Sequence, residues 1–187
     1  MNNQAKGNYG NIKDGSVMAI VFKKLWDVVI EQFPMDIHSI HGPRHWKQVE
    51  KNGLLLADET GADESIIKLF SIFHDSRRVT NNIDDGHGLR GADFARTLRG
   101  QYFDLSDDSF EILIDACTNH TGGQNTSNMT IATCWDADRL DLPRAGITPD
   151  PERMCTAPGR RLARTRLGEG KNSNNHERLK RDAPGSH

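Results

Sequence analysis

Phe70-Ser71-Ile72-Phe73-His74-Asp75-Ser76-Arg77-Arg78 is the stretch around which the chain is organised. It opens as an apolar helix and closes on an adjacent histidine and aspartate. Upstream, Ile66, Ile67 and Leu69 extend the apolar run, so a helix from about Asp63 is apolar almost all round. Such a helix belongs in the middle of a bundle. It carries His74 and Asp75 into an interior that is otherwise dry, where a carboxylate is costly to bury without a cation. Imidazole beside carboxylate suits a borderline-soft divalent metal. Taken alone, the dipeptide also reads as a core histidine followed by a polar helix end, with an arginine as partner of the acid.

Toward the N-terminus, Val17, Ile20, Val21, Leu25, Val28, Val29 and Phe33 recur at helical spacing. They predict a helix capped by Ser16 and stopped by Pro34. His38, His41 and His45 follow, and Gly42-Pro43 marks a turn or helix start. Trp46, Val49, Gly53, Leu54, Leu56 and Ala57 then define an amphipathic helix. His45 shares a stripe with Val49 and Leu56, so it opens the buried face. His41, at or before the helix start, reads equally as a turn or capping histidine and as a functional one.

Toward the C-terminus, Thr80 to Gly86 is a loop with His87 directly after it. Leu89, Ala92, Phe94, Ala95, Leu98 and Tyr102 predict the next helix, and Gly88, Gly91 and Ala92 allow backbone or ligand to approach closely. Ser106 or Asp107 caps another helix, whose end is Asn119-His120-Thr121-Gly122-Gly123. His120 in a last turn is a candidate ligand and also complements the helix dipole. The last well-patterned helix is Met129 to Leu142. Ile131, Cys134, Trp135 and Asp138 follow the i, i+3, i+4, i+7 pattern, which puts Asp138 on the apolar face and Asp136 on the flank, in a supporting or structural role. Asp141, one turn beyond Asp138, is placed to orient it or a neighbour.

After Pro143 the pattern decays. Glu152 to Leu167 reads as a short basic helix interrupted by Pro158-Gly159, and 171–187 is polar enough to predict disorder. The expected division is a flexible arm over 1–14, a helical domain over 15–167 with motifs ending near 142, and a basic tail over 168–187.

The 187 residues suit one domain with trimmings. A hydrophobic content of 35% is low for a wholly globular chain, and a formal net charge of −2 gives no global pull toward nucleic acid or membrane. No apolar run is long enough to span a bilayer, and residues 1–16 lack the apolar core of a secretion signal. Three scattered cysteines, Cys117, Cys134 and Cys155, fit a reducing cytoplasm and form no CxxC pattern.

His45 in His-Trp-Lys-Gln-Val, His74-Asp75, and Asp138 in Asp-Ala-Asp-Arg-Leu-Asp together resemble the H…HD…D signature of the HD-domain superfamily of metal-dependent phosphohydrolases. The resemblance covers about residues 15 to 145. His87 in His-Gly-Leu-Arg-Gly-Ala and His120 in Asn-His-Thr-Gly-Gly match the extra histidines of binuclear members. His41-Gly-Pro-Arg-His45 is similar to small bacterial HD hydrolases. No GYP signature is present, which leaves the cyclic-di-GMP phosphodiesterase subgroup unsupported.

The resemblance implies an all-α HD-type bundle. It implies that His45, His74, Asp75 and Asp138 hold one divalent metal, and that Asp75 bridges to a second held by His87 and His120. One or two ions per chain, of Mn, Fe, Co, Ni or Zn, fit these ligands. The implied reaction is attack of a metal-activated water on a phosphomonoester or phosphodiester, nucleotides included. Asp75, Arg139 and Arg78 are the candidate catalytic residues; Arg139 stands where related enzymes carry a phosphate-contacting cation. Arg77, Arg78, Arg90 and Arg139 are the nearest cations in sequence, and each has an acid within reach: Asp84, Asp85, Asp136 or Asp141. The expected partner is a small phosphorylated substrate, with no membrane and no clear nucleic-acid partner; oligomeric state is open. Two other functions share the same ligands: a di-iron oxygenase, and a non-catalytic metal or nucleotide sensor.

Overall fold

The computed structural model describes residues 15–167, and their side chains from residue 22 onward. The arm expected over 1–14 and the disordered tail expected over 168–187 lie outside the described residues, and the Ser16 side chain expected as a cap lies outside the described side chains. The helices are α1 (Gly15–Glu31), α2 (Pro43–Thr60), α3 (Glu64–Phe73), α4 (His87–Leu98), α5 (Asp107–Asn119), α6 (Met129–Arg139) and a closing helix α7 (157–167). Short 3-10 turns at Leu142–Ala145 and Pro151–Arg153 join α6 to α7. The described residues form no strand, only an isolated bridge between Arg99 and Phe103. The architecture is all-α.

α3 is the axle of the bundle. It packs against α1, α2, α4, α5 and α6. Ile66, Ile67, Leu69, Phe70, Ile72 and Phe73 are all buried, as its lack of a wet face requires. Each such side chain contributes roughly 1.5–3 kcal/mol through burial, which offsets the polar groups delivered at its end. Asp63 starts the helix by accepting hydrogen bonds from the Ser65 and Ile66 amides at 2.8 and 3.3 Å. Beside it, Trp46 of α2 meets Phe33 edge-on at 5.2 Å and Trp26 of α1 at 5.8 Å. A smaller cluster of Leu56, Leu140, Met154 and Ala163 fastens the C-terminal segment to α2 and α6.

At Gly91, the close approach open to backbone or ligand is made by backbone. A Cβ there would collide with the Phe73 carbonyl, so glycine lets α4 lie directly against the end of α3. Three boundaries differ from the sequence pattern. α4 stops at Leu98 instead of Tyr102, because Gly100 turns the chain with a φ of +78°. α6 stops at Arg139 instead of Leu142, since Pro143 has no amide to donate and disfavours helical geometry in the residue before it. Pro158-Gly159 does not interrupt a helix. It sits in the first turn of α7, where proline's missing amide has no intrahelical partner to lose, and Thr156 Oγ1 caps that turn by accepting from the Gly159 amide at 3.0 Å.

Candidate metal centre

Five helices deliver the six residues to one place. His45 comes from the first turn of α2, and His74 and Asp75 from the end of α3. His87 opens α4, His120 ends α5, and Asp138 comes from the last turn of α6. The four histidines and Asp75 are buried, and the Asp138 side chain is 15% exposed. The donor atoms gather as two triads: His45, His74 and Asp138, and Asp75, His87 and His120.

The hydrogen bonds of the imidazoles define what these triads can hold. His74 Nδ1 faces the Phe70 and Ser71 carbonyls, both at 3.1 Å. His87 Nδ1 faces the Asp84 carbonyl at 2.6 Å, and His120 Nδ1 the Cys117 carbonyl at 2.8 Å. His45 Nδ1 faces the Asp141 carboxylate at 2.7 Å. Each of these partners only accepts, so each Nδ1 carries the proton and donates. Every Nε2 lone pair is thereby turned inward. His45 Nε2 and His74 Nε2 stand 3.0 Å apart, with Asp138 Oδ1 at 3.3 and 3.8 Å from them. His87 Nε2 and His120 Nε2 stand 2.9 Å apart, with Asp75 Oδ1 at 3.1 and 3.6 Å.

Lone pairs meeting head to head beside a carboxylate repel unless a cation lies among them. Asp75 Oδ1 and Asp138 Oδ1 are also buried without a hydrogen-bond partner among the described residues. The second triad has some relief: Arg78 Nη1 lies 3.1 Å from His87 Nε2, and the Thr121 hydroxyl lies 3.4 and 3.3 Å from His87 and His120. Among the described residues no donor comes within hydrogen-bond distance of the first triad's Nε2 atoms from outside it; the nearest cation, Arg144 Nη2, stands 3.6 Å from Asp138 Oδ1. A neutral-nitrogen and carboxylate set of this kind fits a divalent transition metal.

Burial drives the His74 imidazole down to about 3, which keeps it neutral and available as a ligand. Burial also disfavours charge on His45 and His120. There the adjoining carboxylates outweigh it, Asp138 and Asp141 for His45 and Asp75 for His120, and raise both above the ordinary histidine value. Burial opposes the charged forms of Asp75 and Asp138 too, yet the surrounding imidazoles hold both carboxyls below the usual range. The pocket collects positive charge.

Asp75 stands between the triads. Oδ1 faces His87 and His120, while Oδ2 lies 3.6 and 3.8 Å from the Nε2 atoms of His45 and His74. His41 donates from Nδ1 to Asp75 Oδ2 at 2.7 Å, so this histidine braces the central carboxylate. Asp141 orients a neighbour of Asp138, namely His45. Asp136 lies fully buried, deeper than a flank position, and faces away from the triads. It accepts from the Cys155 and Thr156 amides at 2.7 and 2.8 Å and from Thr156 Oγ1 at 2.7 Å, tying α6 to the cap of α7.

The arginines divide in a way that sequence distance does not reveal. Arg77 donates to Gln32 and lies 3.7 Å over the Phe94 ring. Arg90 pairs with Asp84 at 2.6 Å. Arg139 donates to the Arg153 carbonyl, the Gly123 carbonyl and Cys155 Sγ, so its fork staples two loops together at the edge of the site. Arg78 stays at the centre, 3.6 Å from Asp75 Oδ1. Arg144, absent from the sequence-based set, is there as well: Nη2 lies 3.6 Å from Asp138 Oδ1 and 3.9 Å from Asp75 Oδ2. The only trace of it in the sequence is Leu142-Pro143, which turns the chain back over the end of α6.

A cavity of about 500 Å³ opens onto Asp75, His120 and Asp138. Its outer wall is the strap between α6 and α7, through Leu142, Ile147 and Met154. Residues 81–85 do not line it, and of residues 121–128 only Thr121 does.

No protein-family model matches the chain, and neither does any curated protein sequence. Among solved structures, the chain is similar to the crystal structure of a predicted HD superfamily hydrolase from an uncultured Thermotogales bacterium. The TM-score is 0.69 at 22% identity, covering 84% of this chain and 91% of that one. The likeness shows the fold: the two chains share one helical architecture.

Proposed function

We propose that the protein is a metal-dependent phosphohydrolase of HD type, acting on a small phosphomonoester or phosphodiester, with nucleotides among the candidates. The observation that carries this reading is the first triad: the His45 and His74 lone pairs face each other beside a carboxylate oxygen that has no hydrogen-bond partner among the described residues. Under this reading His45, His74 and Asp138 hold one divalent ion and His87 and His120 another, with Asp75 shared between them. Such ions supply Lewis acidity toward a phosphoryl oxygen and bring a water near neutral pKa.

The protein's own part is positioning. The carbonyls of Phe70, Ser71, Asp84 and Cys117 and the Asp141 carboxylate fix each imidazole in one tautomer. His41 braces Asp75. With divalent ions on both triads, the ions together with Arg78 and Arg144 would carry more positive charge than Asp75, Asp138 and Asp141 neutralise. A centre with that balance favours an anionic substrate. The fold similarity to an HD-type protein supports the same reading by analogy.

The test combines elemental analysis of the purified protein with a screen of phosphomonoesters and phosphodiesters. An ion on each triad with turnover of a phosphoester is expected, and Asp75→Ala should abolish both. His120→Ala should lose the second ion and keep the first. A fully loaded protein that turns over no phosphoester sinks the proposal: oxygen consumption by an iron form would make it an oxygenase, and nucleotide binding without turnover a sensor.

A further inference from the structure

We propose that Arg144 is the anion-docking residue of the cavity and gives it a preference for phosphomonoesters over phosphodiesters. The proposal rests on the hydrolase reading in naming the anion a phosphoryl group; the docking role itself comes from the guanidinium's geometry. Arg144 sits in the 3-10 turn Leu142–Ala145, directly after the helix that carries Asp138. Its Nε donates to the Ile40 carbonyl at 2.9 Å, which fixes the plane of the fork. Nη2 approaches Asp138 and Asp75 at 3.6 and 3.9 Å, charge contacts too long to be hydrogen bonds. Nη1 is buried and has no hydrogen-bond partner among the described residues. A buried donor left without an acceptor is destabilising, so the fold holds this one in a costly state at the mouth of the centre.

The other arginines lining the cavity are placed differently. Arg139 is spent on two loop carbonyls, Arg78 is anchored through Nη2 on the Asn82 carbonyl beside the second triad, and Arg153 is exposed at the rim near Asp150. A fork anchored through Nε, with Nη1 unpaired and Nη2 held only by long charge contacts, keeps donors for an oxygen of a tetrahedral or planar oxyanion. Preference follows from counting oxygens. A phosphomonoester has three non-bridging oxygens, enough to meet a binuclear centre and still offer one to Arg144. A diester has two, which ions on both triads would take up, leaving none for Arg144. Leu142, Ile147 and Met154, carried on the same strap, then face the organic part of the substrate. The cavity volume of about 500 Å³ suits a small molecule.

The experiment is calorimetric titration of the manganese-loaded protein with inorganic phosphate and, separately, dimethyl phosphate. It compares wild type with Arg144→Ala, Arg144→Lys and Arg153→Ala, with metal content measured on each sample. Phosphate affinity should fall roughly 10- to 100-fold in Arg144→Ala, the loss expected for a charge-assisted hydrogen-bond pair. Arg144→Lys should recover only part of it, and Arg153→Ala should lose little. Dimethyl phosphate should bind weakly to all four. Unchanged phosphate affinity in Arg144→Ala overturns the proposal, and so does loss of metal, which would make Arg144 part of the centre's construction. If phosphate binding depends on Arg144 but no phosphoester is hydrolysed, the docking role stands and the hydrolase reading fails. If monoesters are hydrolysed with the same KM by wild type and Arg144→Ala, the hydrolase reading stands and the docking role fails.

Discussion

Two carboxylates separated by a single residue on α6 should give opposite signatures when each is made an amide. Asp136 takes three hydrogen bonds, all at 2.7–2.8 Å and all from groups that hold the strap and α7 in place. In Asp136→Asn one carboxylate oxygen becomes an NH2 that points at donors. At least one buried amide or hydroxyl then loses its acceptor, and the remaining bonds lose their charge assistance. Hydrogen bonds to charged groups contribute about 1.5–3 kcal/mol each, and an orphaned buried donor costs about 1–3 kcal/mol. A net loss of about 3 kcal/mol is expected, or roughly 6–12 °C in Tm for a domain of this size. Asp138 has no comparable structural partners: its Oδ1 is orphaned and faces the imidazoles. Asp138→Asn should therefore act on metal affinity.

The assay is thermal melting with and without added manganese, paired with metal analysis. A ligand that binds only the folded state at a hundred times its Kd adds about 2.7 kcal/mol. Wild type and Asp136→Asn should both gain Tm on manganese addition, Asp136→Asn from a lower starting point. Asp138→Asn should lose most of the gain. If Asp136→Asn melted normally but failed to bind metal, or Asp138→Asn kept the full response, the division of labour along α6 would be wrong.

Asp141→Asn should leave the fold intact and weaken metal binding about 10- to 100-fold, since it orients His45 from outside the ligand set; metal titration of the apo form measures this. Gly91→Ala forces a methyl onto the Phe73 carbonyl and should cost about 1–3 kcal/mol in urea unfolding; an unchanged midpoint would show that α4 can shift away freely. Burial raises all three thiols, but Cys117 and Cys134 are inaccessible while Cys155 is half-buried, so iodoacetamide should label Cys155 alone in the native protein and all three after denaturation. Mass spectrometry of the labelled peptides reads the outcome.

The sequence by itself determined the helical bundle, its central helix and the order of the candidate ligands. These are local properties. The all-round apolar run over Ile66–Phe73 has nowhere to go but the interior, and His45 and Asp138 follow the periodicity of their own helices. It also placed Asp141 one turn past Asp138, close enough to orient a neighbour, although which neighbour depended on how α2 meets α6. Only the tertiary structure decided what each charge does. Arg139 adjoins Asp138 in the chain but projects to the loop carbonyls, because successive residues on a helix diverge by about 100°. Arg144 lies six residues on and returns to the acids, because the turn after Pro143 folds it back over the end of α6. His41 showed no periodicity that separated a capping from a functional role, and a single contact across the bundle to Asp75 settled its place. The strap over 142–154 carries no regular pattern because it packs by a few anchors, Asp136 to Thr156 and Met154 against Leu56 and Leu140, and such contacts leave no period in the sequence.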